Sequence, residues 1–244
     1  MQSLCTRIFV DSANANEMIE FAQNPIVAGF TTNPTLMRKS GVSHYSSFCQ
    51  NILEKITRHP ISFEVFADDL HEMERQARVI ASWGSNVYVK IPVTNTKRIP
   101  TTEIIKKLSF DGIKINVTAI MTLNQVENVI ASSCATTPIY ISVFAGRIAD
   151  TGLDPLPLMK ESLKIIKNNP RARLLWASPR EILNILQANQ IGCHIITVTA
   201  DILKKLSLHG KNLEDYSLET VQMFYDDAKT IDENLANGSS GKSL

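Results

Sequence analysis

The chain has 244 residues, of which 44% are hydrophobic and 20% charged; this excludes wholesale disorder and leaves room for one large core. Lys and Arg number 25 against 24 Asp and Glu, a formal net charge of +1, which excludes broad attraction to nucleic acid or an anionic membrane. An anionic ligand must therefore be held by a local site.

In chain order, the opening MQSLCTRIFVDSA reaches a charged residue too early for a signal peptide. No apolar run approaches the roughly 20 residues that cross a bilayer. RIFVDSA (7–13) reads as a first strand. ANEMIEFAQ follows as a helix, with Asn14 and Glu17 in capping-box spacing. VAGFTTNP (27–34) is a second strand. SHYSSFCQNILEKITR then places Tyr45, Phe48, Ile52 and Ile56 on one helical face. ISFEVFA (61–67), VYVKIP (87–92), IKINVTA (113–119), IYISVFAGR (139–147), LLWAS (174–178) and HIITVT (194–199) are the remaining strand candidates. Between them LHEMERQARVIASW, TTEIIKKL, TLNQVENVIAS, LPLMKESLKIIKN and PREILNILQAN have helical spacing.

Strand–helix alternation implies parallel strands joined by helical crossovers. Eight rounds predict an α/β fold, a single (β/α)8 TIM barrel. Barrels of this kind commonly use about 250 residues. A doubly wound open sheet is the alternative, weakened because no GxGxxG follows the first strand. SLETVQMFYDDAKTIDENLA is predicted as an additional C-terminal helix, with Val221, Phe224, Tyr225, Ala228 and Ile231 on one face. That face packs on the barrel, or forms a lid or a subunit contact. One catalytic domain is expected over 1–236, and a disordered polar tail over 237–244.

Cys5, Cys49, Cys134 and Cys193 form no CxxC pair, so a reduced, cytoplasmic protein is expected. The histidines have no zinc-binding spacing, and no metal site is expected.

In a parallel barrel, chemistry sits at the C-terminal ends of the strands. Polar residues recur there: Asp11, then Thr31, Thr32 and Asn33, then Glu64, Lys90, Asn116 with Thr118, Ser142 with Arg147, and Ser178. Any one of them fits ordinary hydrogen-bonded structure. Lys90 is the most informative, because it interrupts an apolar strand. Burial disfavours an ammonium, and a neutral amine can attack a carbonyl to form a Schiff base. The alternatives are a lysine that snorkels to the rim, or one paired with Glu64 or Asp11. Asp11 and Glu64 are candidate proton carriers, with a water held between Glu64 and Thr118. Gly146 permits close backbone approach beside Arg147. In SPRE, Ser178 is predicted as an N-cap and Pro179 as the first helical residue, exposing N–H groups beside Arg180. Two arginines at a helix start form a phosphate site; ordinary capping is the other reading.

The segments FVDSAN, GFTTNPTL, FEVFA, VKIP, NVTAI, ISVFAGRI and WASPRE occur in the order found in the transaldolase family, and the resemblance runs over most of residues 7–235. It implies a metal-free, cofactor-free class I enzyme acting on phosphorylated sugars, and a homo-oligomer. By its motifs Lys90 is the Schiff-base lysine and Asp11 the acid/base for carbon–carbon cleavage. Glu64 and Thr118 hold the catalytic water. Asn33, with Thr32 beside it, Asn116 and Ser142 bind the donor, and Arg147, Ser178 and Arg180 take the phosphate. Fructose 6-phosphate aldolases of the family typically carry Gln in place of Glu64 and Tyr in place of Phe144. The transaldolase-like residues here imply transfer of a dihydroxyacetone unit between sugar phosphates of the pentose phosphate pathway. Pro179 and Val143 depart from the family's usual aromatic residue and proline. The competing functions are an aldolase releasing free dihydroxyacetone, a pyridoxal phosphate protein and a non-catalytic sugar-phosphate-binding barrel.

Overall fold

Eight short runs of β-branched and aromatic residues become eight parallel strands. The computed structural model describes residues 4–231. The strands are β1 (Arg7–Asp11), β2 (Val27–Thr31), β3 (Ile61–Glu64), β4 (Val87–Pro92), β5 (Ile115–Ile120), β6 (Ile139–Val143), β7 (Ala172–Trp176) and β8 (Ile195–Val198). Each pairs with the next, and β1 pairs with β8, closing the barrel. All eight fall within or beside the predicted runs. The open-sheet alternative is thereby excluded.

The helices fill the intervals. They run as α1 (Ala15–Phe21), α2 (Pro34–Lys39), α3 (Tyr45–Lys55), α4 (Leu70–Ala81), α5 (Thr102–Phe110) and α6 (Leu123–Ser132), followed by α7 (Ala145–Ala149), α8 (Pro155–Ile166), α9 (Leu183–Gln190) and α10 (Ala200–Lys204). Their starts follow local chemistry. Asn14 caps α1 by accepting from the Glu17 N–H at 3.2 Å. The predicted reciprocal bond is absent: the Glu17 carboxylate accepts from the Ser12 hydroxyl at 2.6 Å instead. A full capping box forms at α6, from Thr122 and Gln125.

The chain divides into two compact units, Met1–Lys204 and Lys205–Leu244. The first is the barrel. The described part of the second is a short 3-10 turn (Lys205–Leu208) and α11 (Leu213–Ile231), the predicted C-terminal helix beginning earlier than its apolar spacing indicated. Residues 232–236 of the predicted domain, and the tail predicted over 237–244, lie outside the described residues. Among those described, no helix is long and apolar enough to cross a membrane.

Side-chain alternation along the strands stacks the barrel interior in layers. Phe9 and Tyr140 meet edge to face, with centroids 5.8 Å apart, and Tyr140 stacks on Tyr88 at 4.0 Å. Leu175 and Ile195 complete this apolar cluster. Gly29 makes room for it, since a Cβ there would stand 2.6 Å from the Phe9 ring. Two residues further along their strands come Asp11, Lys90 and Ser142. The aromatic layer is thus the floor beneath the polar end of the barrel.

Candidate active site

Lys90 is 7% exposed in the middle of β4. Its level in the barrel is set by register: Glu64 lies beside it on β3 and Asn116 on β5. Lys90 Nζ donates to the Thr32 carbonyl at 2.8 Å and stands 3.0 Å from Glu64 Oε2. The pairing with Glu64 that the sequence left open is therefore present, and a lysine snorkelling to the rim is not. An amine able to attack a carbonyl requires the ammonium to lose a proton, and Glu64 lies within reach of that proton.

Asp11 ends β1. Its Oδ1 accepts from the Thr31 hydroxyl at 2.7 Å and its Oδ2 from Asn33 Nδ2 at 3.0 Å. Thr31 has one hydroxyl proton, so it accepts in turn from Thr197, 2.6 Å away. Burial pushes the Asp11 carboxyl above the usual carboxylate range, against the Lys90 charge and the bonds from Thr31 and Asn33; the Glu64 charge adds to the rise. Asn33 also caps α2, its Oδ1 accepting from the Leu36 N–H at 2.9 Å. One short turn thus fixes both the helix start and the Asp11 carboxylate.

Ser142, Asn116 and Ser62 form a buried chain. Ser142 donates to Asn116 Oδ1 at 2.6 Å, and Asn116 Nδ2 donates to Ser62 Oγ at 2.9 Å. Thr118, one strand step beyond Asn116, is buried, and its hydroxyl has no hydrogen-bond partner among the described residues. The next residue, Ala119, has φ of +62° and marks a register shift on β5. A non-glycine residue in this region is strained, and such strain gathers at functional sites.

Two expectations need correction. Thr32 was counted with the substrate-binding side chains. Its hydroxyl donates to the Ser62 carbonyl at 3.0 Å and is fully buried; its contribution to the site is the carbonyl that accepts from Lys90. Ser178 and Pro179 were predicted to start a helix. α9 starts at Leu183, and Ser178 sits at φ +59°, left-handed rather than in the extended backbone of an N-cap. The Arg180 N–H, expected to be open to an anion, donates to Asn184 Oδ1 at 2.8 Å.

The predicted phosphate residues form a contiguous loop pair. Phe144 immediately precedes α7, and the Arg147 guanidinium lies 6.0 Å from the Phe144 ring. A Cβ on Gly146 would fall 1.5 Å from the Ser178 carbonyl oxygen. The close approach that requires this glycine is therefore made by the neighbouring loop. Arg180 is exposed and pairs through two nitrogens with Asp150. Arg147 is exposed without a carboxylate partner among the described residues.

Ser62 and Thr197 are not among the residues the sequence singles out, and Tyr45, read only as part of a helical face, donates its hydroxyl to the Glu64 carbonyl at 2.8 Å. Ser62 had a signal, since it stands two residues before Glu64 on the same strand face. Among the described residues, no three His, Cys, Asp or Glu side chains gather to hold a metal ion.

The family described as Transaldolase/Fructose-6-phosphate aldolase matches residues 8–239. A "Probable transaldolase" of Dehalococcoides mccartyi is 37% identical over 204 residues, covering 83% of this chain and 91% of that protein. A "Probable transaldolase 2" of Listeria monocytogenes is 34% identical, covering 83% and 89%. The crystal structure of 3-keto-L-gulonate-6-phosphate decarboxylase from Vibrio cholerae is similar with a TM-score of 0.54 at 12% identity, over 81% of this chain and 89% of that one. This last likeness is one of fold alone.

Proposed function

The chain belongs to the transaldolase/fructose-6-phosphate aldolase family, and from that premise we propose that it transfers a dihydroxyacetone unit through a Schiff base on Lys90. The donor is a ketose phosphate, sedoheptulose 7-phosphate or fructose 6-phosphate. The acceptor is an aldose phosphate, glyceraldehyde 3-phosphate or erythrose 4-phosphate. The observation carrying this reading is the buried Lys90 amine, held 3.0 Å from Glu64 above an aromatic floor.

In this reading Glu64 accepts a proton from the Lys90 ammonium, and the amine attacks the donor's C2 carbonyl. The carbinolamine oxygen leaves as water on taking a proton relayed from Glu64, with the unpartnered Thr118 hydroxyl orienting the relay. Asp11 then accepts the C4 hydroxyl proton. The C3–C4 bond breaks, its electron pair passes to the iminium as an enamine, and an aldose phosphate departs. The enamine attacks the acceptor's carbonyl carbon, Asp11 returns its proton to the new alkoxide, and hydrolysis frees Lys90. A carboxyl raised by burial suits both directions of this transfer.

Asn116 and Ser142 line the donor's position, and Asn33 keeps a second Nδ2 hydrogen for a donor hydroxyl. Arg147 and Ser178 take the phosphate, and Arg180 joins them by leaving Asp150. Phe144 has no hydroxyl with which to protonate the enamine, which favours transfer over release of free ketone. A cytoplasmic setting belongs to the same reading, supported by four cysteines that form no disulfide.

Borohydride trapping with fructose 6-phosphate tests it. The expected product is a reduced three-carbon adduct on Lys90 by peptide mapping, absent from Lys90→Ala and discharged by erythrose 4-phosphate added beforehand. No adduct on the wild type would sink the Schiff-base reading. Free dihydroxyacetone accumulating without an acceptor would make the chain an aldolase.

A further inference from the structure

Beneath the aromatic floor, at the opposite end of the barrel from Lys90, lies a second concavity. Arg7, Tyr88, Tyr140 and Arg173 stand at the first or second residue of β1, β4, β6 and β7, and Arg171 and His194 immediately precede β7 and β8. All six line one cavity of about 650 Å³. That volume is typical of a small-molecule site. No acidic side chain lines it. Among the described residues, none of the three arginines is paired with a carboxylate.

Arg173 and Arg7 have fixed contacts. Arg173 Nη1 donates to the carbonyls of Pro170 and Ala172, at 2.9 and 2.7 Å. The Arg7 guanidinium lies 6.0 Å from the Phe9 ring. His194 Nδ1 accepts from the Leu174 N–H at 3.2 Å, which leaves its proton on Nε2 as a donor. Two neighbours register the same converging charges. Burial, then Arg173 and Arg7, hold the His194 imidazole below its ordinary range. Burial, then Tyr88, push the Tyr140 phenol up, while Arg7 and Arg173 oppose the rise.

Arg7 and Arg171 are exposed and Arg173 is half-buried; three guanidiniums on one concave wall with no carboxylate among them repel one another, and a bound anion relieves that repulsion. The chemistry proposed at the other mouth does not use these residues. Guanidinium forks match phosphate oxygens bidentately, and three of them around one cavity call for more than one negative charge. We propose that the cavity at the N-terminal mouth of the barrel is a second ligand site, which takes a small polyanion of the diphosphate class.

Inorganic pyrophosphate titrated calorimetrically into the full chain tests this. The comparison variants are Arg7→Gln/Arg173→Gln, Arg171→Gln and Arg147→Gln, each melted without ligand to check its fold. The expected result is saturable binding to the wild type and to Arg147→Gln, weakened at least about tenfold in Arg7→Gln/Arg173→Gln. If that double variant does not fold, Arg171→Gln carries the test, with weakening expected in the same direction. Adenosine diphosphate in a parallel titration separates two sources of the same chemistry. Tighter binding than pyrophosphate assigns the site to nucleotides, and equal or weaker binding to phosphates without a base. No saturable pyrophosphate binding by the wild type would overturn the proposal. So would binding that Arg147→Gln abolishes and the mouth variants leave intact.

Discussion

Glu64 Oε2 stands 3.0 Å from Lys90 Nζ, on adjacent strands at the same level of the barrel. Lys90 is buried and Glu64 half-buried, and the second fixed contact of the lysine is the Thr32 carbonyl. Glu64→Gln keeps an oxygen for Lys90 to donate to, and removes the proton acceptor. We expect kcat/KM to fall roughly 100-fold, and the melting temperature to fall as well, since removing one partner leaves the Lys90 ammonium without its counter-charge. Stopped-flow formation of the Lys90 adduct is the direct measurement. An unchanged rate would remove Glu64 from the proton path.

Asp11→Asn should trade activity for stability. Burial raises the Asp11 carboxyl, so the folded chain binds this proton more tightly than the unfolded chain does. Its contribution to stability is greatest at low pH and is lost as pH rises from the unfolded value of about 3.9 through the folded one. The amide carries no charge to bury. Thermal melts should therefore show Asp11→Asn above the wild type near neutrality, by a few degrees (about 2–4 °C per kcal/mol at this size), with the gain shrinking as pH approaches about 4. A variant less stable than the wild type at every pH would contradict the burial cost.

Thr118→Val probes the unpartnered hydroxyl on β5. The two side chains have nearly the same shape, and an unsatisfied buried hydroxyl costs about 1–3 kcal/mol. The melting temperature should rise or hold while kcat falls about tenfold or more. A marked loss of stability would mean that the hydroxyl is already satisfied in the free protein.

Gly146→Ala tests the contact between the loops of Arg147 and Arg180. The added methyl would meet the Ser178 carbonyl oxygen at 1.5 Å, so backbone must move, at a cost of about 1–3 kcal/mol or more. The expected signature is a lower melting temperature with KM for phosphorylated donors raised more than kcat is lowered. Equal KM in variant and wild type would separate this contact from phosphate binding.

Much of this site was legible in the sequence, because alternation on a strand is a local property. Lys90 in VYVKIP, Glu64 in ISFEVFA and Asn116 in IKINVTA each interrupt an apolar run in the region where a parallel barrel carries its chemistry. Parallel register then brings them to one level. The β-branched and aromatic runs likewise determined the eight strands, since strand preference and helical spacing are read within about a dozen residues. The tertiary structure alone decided the rest. Thr32 turns its hydroxyl to the Ser62 carbonyl, Ser178 takes a left-handed backbone against Gly146, and Arg180 finds Asp150. Each of these depends on a neighbouring strand or loop distant in sequence. The cationic mouth is the clearest case: the β7–β8 pairing brings Arg171 and Arg173 to His194, and Arg7 joins them only because β1 closes on β8. Barrel closure is a non-local pairing, which no window along the chain contains.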